Sequence, residues 1–185
     1  MRKIVLTFGL IAGAILSLMM FATLPFIDRI GFDKGAYIGY TSMVLAFLMV
    51  FFGIRAYRDT VAGGQVGFGR AFVVGLLITL VASLCYVASW QVIYYRVLPD
   101  FGEKYAAYAV AQARKQGASE AQIAAKVKEM AEFNQMYRNP LVNIAWTLLE
   151  PLPVGLLFTL VAAGVLSRRR GHSALVAMRK SGSSA

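Results

Sequence analysis

Four long stretches of this chain carry almost no charge: Ile4–Ile27, Gly35–Ile54, Ala71–Tyr95 and Pro140–Ser167, the last interrupted only by Glu150. A helix needs about 20 predominantly apolar residues to cross the hydrocarbon core of a bilayer, and each stretch is about that long or longer. The pattern therefore predicts an all-α integral membrane protein with four transmembrane helices. Lipid offers no partner for a backbone N–H or C=O, so each span must satisfy its own. The rare polar side chains inside the spans then carry most of the information.

Composition agrees with this reading. Hydrophobic residues make up 58% of the 185-residue chain and charged residues 15%, against roughly 45–50% and 25% in ordinary globular domains. The four spans leave one sizeable loop, Arg96–Arg138, and no room for a separate catalytic domain. A single membrane domain over residues 1–170 is expected, with spans at about 4–27, 35–54, 71–95 and 146–167, followed by a flexible basic tail at 171–185.

The net charge of +10 would suit nucleic acid, but its placement speaks against that. Arg2 and Lys3 precede the first span, Arg55, Arg58 and Arg70 lie between the second and third, and Arg168, Arg169, Arg170, Arg179 and Lys180 follow the fourth. These ten basic residues share one side of a four-span topology with a single acid, Asp59. The other side carries nine basic residues offset by seven acids, and many of the nine lie far from the span ends. Positive charge near span ends marks the cytoplasmic face, so both termini are expected in the cytoplasm. The basic rim would then lie against anionic lipid headgroups. The first apolar run follows Met1-Arg2-Lys3 but is too long for the core of a signal peptide, which predicts an uncleaved span.

Pro25 should end the first span, with Asp28–Lys34 as a tight polar link to the second. Tyr37 and Tyr40 are expected as interfacial anchors at the start of that second span. Gly63-Gly64 has the composition of a two-residue hairpin turn; a phosphate cradle is the functional alternative, but the spacing matches neither phosphate-loop nor dinucleotide patterns. Beyond Pro99, residues 100–137 read as an extracytoplasmic helical hairpin. Asp100 and Glu103 form an Asp-x-x-Glu capping pattern, Gly117 is a stop signal, and Ser119 with Gln122 forms a second capping box. The fourth stretch is overlong. Counting back from Ser167 places its core near Leu148–Ser167, with Asn143–Thr147 at the interface and Trp146 as an anchor.

Glu150 is the only acid inside a span. It stands in Glu150-Pro151-Leu152-Pro153, where two prolines lack backbone donors. One reading is a kinked polar pocket that faces Ser89, Gln91, Tyr94 and Tyr95 on the third span. The other, which the shallow position from this count favours, is an interfacial acid that caps the helix starting at Pro151. Gly9 and Gly13 on the first span, Gly75, Thr79 and Ser83 on the third, and Gly155 on the fourth form small-residue ridges that permit close helix packing, within one chain or between copies. Cys85 lies alone inside the third span and His172 alone in the tail, so no disulfide, metal cluster or triad is implied. No cofactor follows from the sequence.

Several pieces of the chain together resemble a bacterial membrane-protein family catalogued as domain of unknown function 4199. They are Gly39-Tyr40-Thr41-Ser42-Met43, Phe52-Gly53-Ile54-Arg55-Ala56-Tyr57-Arg58-Asp59, Gly67-Phe68-Gly69-Arg70-Ala71-Phe72, Tyr137-Arg138-Asn139-Pro140 and Glu150-Pro151-Leu152-Pro153-Val154-Gly155-Leu156. The resemblance implies four spans and a bacterial inner-membrane location, and supplies no activity. The expected function is a non-enzymatic inner-membrane protein that scaffolds, senses or modulates a membrane partner, with a homo-oligomer as another possible assembly. The alternative is a small oligomeric permease or channel with a polar mouth around Glu150 and Gln91.

Overall fold

A computed structural model describes residues 1–167, which form helices and connecting turns. Four of its helical segments are long and apolar enough to cross a membrane: Arg2–Phe26, Arg29–Thr60, Phe68–Val97 and Pro140–Leu166. The chain is thus a multi-pass helical membrane protein. The tail expected at 171–185, with His172, Arg179 and Lys180, lies outside the described residues, as do Arg168, Arg169 and Arg170.

Helix α1 (Arg2–Thr23) rises to a 3₁₀ turn at Leu24–Phe26, and α2 (Ile27–Thr60) returns. The link differs from the expected polar turn. Pro25 fits into the 3₁₀ turn, Ile27–Ile30 is already helical, and the break falls at Gly31, whose φ of 72° and ψ of 166° suit only glycine. At the opposite end Gly63 and Gly64 both have positive φ, but no strands flank them, so they terminate a helix rather than turn a hairpin. The N–H of Gly64 there donates to the Arg58 carbonyl at 2.8 Å, satisfying one of the orphan acceptors at the end of α2.

Helix α3 (Phe68–Val92) continues into a π turn at Ile93–Val97. Helices α4 (Phe101–Lys115) and α5 (Glu120–Tyr137) then pack on each other between the third and last spans. Ser119 and Gln122 make the expected reciprocal capping box. Asp100 does not cap α4; its carboxylate instead pairs with Lys104 at 3.1 Å, while Glu103 lies 3.6 Å from Arg138. The fourth span is two helices, α6 (Pro140–Leu149) and α7 (Pro151–Leu166). It starts at Pro140, well before residue 146, because Asn139 caps α6 by accepting from the Leu141 N–H at 3.0 Å and Pro140 suits the first turn.

Helices α1 and α7 each pack against both α2 and α3. The small residues explain how closely. A Cβ placed on Gly9 would lie 2.7 Å from the Val81 Cβ, and one on Gly13 2.6 Å from the Cys85 Cβ, so α1 meets α3 backbone to side chain. On the other flank, a Cβ on Gly75 would lie 2.8 Å from Thr159 Cγ2, and Gly155 sits against Thr79 and Phe47. Thr79 Oγ1 donates to the Gly155 carbonyl at 3.3 Å and lies 3.2 Å from Thr159 Oγ1. These ridges are therefore used inside one chain. Met43, Phe47, Val50 and Ile54 of α2 interlock with Val74 and Ile78 of α3 to fill the half of the bundle nearer the termini.

Gly13→Ala is expected to destabilise the protein by about 1–3 kcal/mol through overpacking. Gly164→Ala, where nothing lies within 4 Å of the added atom, is expected to be neutral. Unfolding in detergent, followed for both variants, checks the contrast.

Candidate functional site

The other half of the bundle is not filled. A cavity of about 460 Å³ lies between α1, the first turns of α2, α3 and α6, roofed by α4 and α5. Its floor is formed by Leu16, Ser42, Tyr86 and Glu150, and its walls include Trp90, Tyr137, Trp146 and Thr147. Pro151 and Pro153 have no N–H, so the fourth span loses two backbone bonds there, and Glu150, with helical φ and ψ of −72° and −55°, sits at the junction of α6 and α7.

The Glu150 side chain does not cap α7, contrary to the stronger expectation. It accepts instead from the Tyr86 hydroxyl at 2.8 Å. Along the chain, Glu150 lies ten residues after the start of the last apolar helical segment, Pro140–Leu166.

The residues expected around Glu150 divide among different surroundings. Ser89 turns to α1, where it donates to Ser17 Oγ at 2.8 Å. Tyr95 donates to the Arg138 carbonyl at 3.2 Å. Tyr94 is buried beside Tyr137, with ring centroids 5.3 Å apart. Gln91 donates to Asn143 Oδ1 at 2.6 Å. None of the four lines the cavity. Ser83 is buried deeper on α3 without a hydrogen-bond partner.

Two groups had escaped the sequence reading. Tyr86 and Trp90 stand one turn apart on α3 and both face the cavity; this i, i+4 aromatic pair was the available signal. Asn143 and Thr147, expected at the interface, are buried and belong to a polar chain across three helices. Trp90 Nε1 donates to Tyr137 Oη at 3.0 Å, Tyr137 Oη lies 3.2 Å from Thr147 Oγ1, and Thr147 donates to Asn143 Oδ1 at 3.4 Å. Burial holds the Tyr137 phenol above the ordinary range, which keeps it neutral and able both to donate and to accept. The chain fixes α3, α5 and α6 around the cavity without occupying it.

The roof is latched at its far edge. Phe32, directly after the Gly31 break, packs against Phe101, Tyr105 and Tyr108 of α4 with centroids 5.6, 5.4 and 5.0 Å away. Tyr108 donates to Asp33 Oδ1, and Gln112 Nε2 donates to Asp33 Oδ2 at 3.1 Å. The hydrogen bond to that carboxylate, more than burial, raises the Tyr108 phenol above its ordinary value.

Asn143→Ala leaves the Gln91 amide unpaired and is expected to cost about 1–3 kcal/mol; adding Gln91→Ala should cost less than it does alone, as measured in a double-mutant unfolding cycle. The Tyr108 latch has a defined pH dependence. Its folded value lies above the unfolded one of about 10, so its contribution is complete below that value and disappears as pH climbs through the raised folded value. The stability difference between the parent and Tyr108→Phe should be constant near neutrality and shrink in strong alkali.

Neither curated proteins nor solved structures gave a match to the chain. A family model does match it over residues 7–168, a range that takes in all but the first turn of the four spans, the α4–α5 pair and all of the cavity's lining residues. The chain belongs to the family described as protein of unknown function (DUF4199).

Proposed function

We propose that this protein is a non-enzymatic component of a bacterial inner membrane that senses a membrane-soluble ligand in its cavity and modulates a partner through α4 and α5. The observation that carries this reading is the cavity itself. It is walled by apolar helices, roofed by the α4–α5 pair and floored by Glu150. The size falls within the roughly 300–1,000 Å³ of small-molecule sites, which are mostly apolar with a few placed polar groups.

The roof and floor are physically coupled. Tyr137 at the end of α5 belongs to the polar chain that holds α6, and Phe101 and Tyr105 of α4 reach both the cavity and Phe32. An occupant touching these groups would bias the position of the pair that a partner meets. Transport through one chain finds less support, since the packed core of Met43, Phe47, Ile54 and Ile78 lies between the cavity and the terminal end of the bundle.

Sidedness follows from charge. Arg2, Lys3, Arg55, Arg58 and Arg70 gather at the end of the bundle that holds the N-terminus, which favours cytoplasmic termini and an extracytoplasmic α4–α5 hairpin. In a Cys85→Ala background, a membrane-impermeant maleimide added to intact spheroplasts should label Gln116→Cys, in the turn after α4, and spare Gln65→Cys between the second and third spans. The reverse pattern would contradict the topology. For the function, a photocrosslinker at Val127 on α5 should give a discrete protein adduct that the same group at lipid-facing Leu157 does not. Lipid adducts alone at both positions would count against a partner.

A further inference from the structure

We propose that the cavity is a binding site for a hydrophobic organic cation, an amine or quaternary ammonium carried on an apolar body, with Glu150 as its counter-ion. This names the ligand class for the sensing reading and rests on it. The charge balance of the lining points to the sign. Among the described residues lining the cavity Glu150 is the only charged side chain, and no Lys or Arg stands beside it. Among the described residues its one hydrogen bond comes from the Tyr86 hydroxyl. A carboxylate within a bilayer is costly unless a cation offsets it, and here the space next to it is a cavity rather than a basic side chain.

The walls fit the same ligand. Tyr86, Trp90, Tyr137 and Trp146 line the cavity together with Glu150, as do Phe101 and Phe133. Aromatic faces attract an ammonium through their quadrupole, most strongly where water is excluded, and present apolar surface to its substituents. An anion would meet the negative faces of the same rings and the carboxylate, with no basic group to receive it. A zwitterionic phospholipid headgroup shares the ammonium, but its phosphate would find no cationic partner in the lining. Access is also available. Around the ring of spans α2 packs closely on α1 and α7, but not on α6, which leaves the cavity a side opening toward the bilayer. A lipid-soluble cation can enter there without crossing the roof.

The chain's two tryptophans both line the cavity, so intrinsic fluorescence reports directly on its occupant. The test compares tetraphenylphosphonium with tetraphenylborate, ions of the same shape and opposite charge, on the intact protein in nanodiscs. Saturable quenching by the cation, with the anion at least about tenfold weaker, is expected. Glu150→Gln should weaken the cation by at least about tenfold and leave the anion little changed or improved. Should Glu150→Gln fail to fold, Glu150→Asp must keep the preference for the cation, and Tyr86→Phe must keep binding because it removes no charge. Repeating the titration in phosphatidylglycerol and phosphatidylethanolamine nanodiscs separates the sources. Equal affinity identifies a free cation as the occupant, and competition by phosphatidylethanolamine identifies a headgroup amine; both place an ammonium at Glu150. Equal binding of the two ions, or a folded Glu150→Gln that binds the cation as the parent does, would overturn the ligand class and leave the sensing reading standing. Absence of saturable binding by either ion would overturn the proposal, while the Val127 crosslink judges the sensing reading separately.

Discussion

The absence of two backbone donors, at Pro151 and Pro153, shapes the half of the molecule that holds the cavity. Two carbonyls of the preceding turn lose their helical partners there, and α6 gives way to α7 at Glu150. The two pieces are then held by unlike interactions. Below the break, α7 is pressed onto α3 by Gly155, Thr79, Gly75 and Thr159 at distances only small residues allow. Above it, α6 is held by the hydrogen bond that Asn143 Oδ1 accepts from Gln91 and by the one between Thr147 and Tyr137. One half of the bundle is consequently close-packed, and the other encloses space.

This division of labour follows from the solvent. In lipid there is little hydrophobic drive between helices, so association depends on van der Waals fit and on polar groups that would otherwise lack partners. The lower half uses fit. The upper half uses polar pairs, each worth of order 0.6 kcal/mol on average and about 1.7 at most in such settings. A region held by a few directed bonds can surround a cavity without collapsing into it. The π turn at Ile93–Val97 belongs to the same region, and such turns often occur where a helix is adapted to a site.

The spans were legible because charge-free length is a property of the sequence itself, and the small-residue ridges were legible as a period of four. What is not legible is rotation. Ser89, Gln91, Tyr94 and Tyr95 lie near one end of the third span, yet successive residues on a helix face different neighbours. Gln91 and Ser89 turn to opposite partners while Tyr86 and Trp90 face the cavity. A span counted from residue 146 leaves Asn143 outside it, whereas the folded protein buries that amide and pairs it with Gln91. The Asn139-Pro140 start signal was present in the sequence; hydropathy counting from the far end outweighed it. The Gly31 break was missed for a similar reason, since Pro25 was the stronger local punctuation and glycine's positive φ appears only in the folded backbone.

If the space above Glu150 is a binding site, the carboxyl selects its occupant. Native mass spectrometry of the protein released from nanodiscs tests this without assuming a ligand. A stoichiometric adduct of a small organic cation or an amine-bearing lipid is expected on the parent and lost in folded Glu150→Gln. An unliganded mass for the parent, or adducts identical in both proteins, would contradict it.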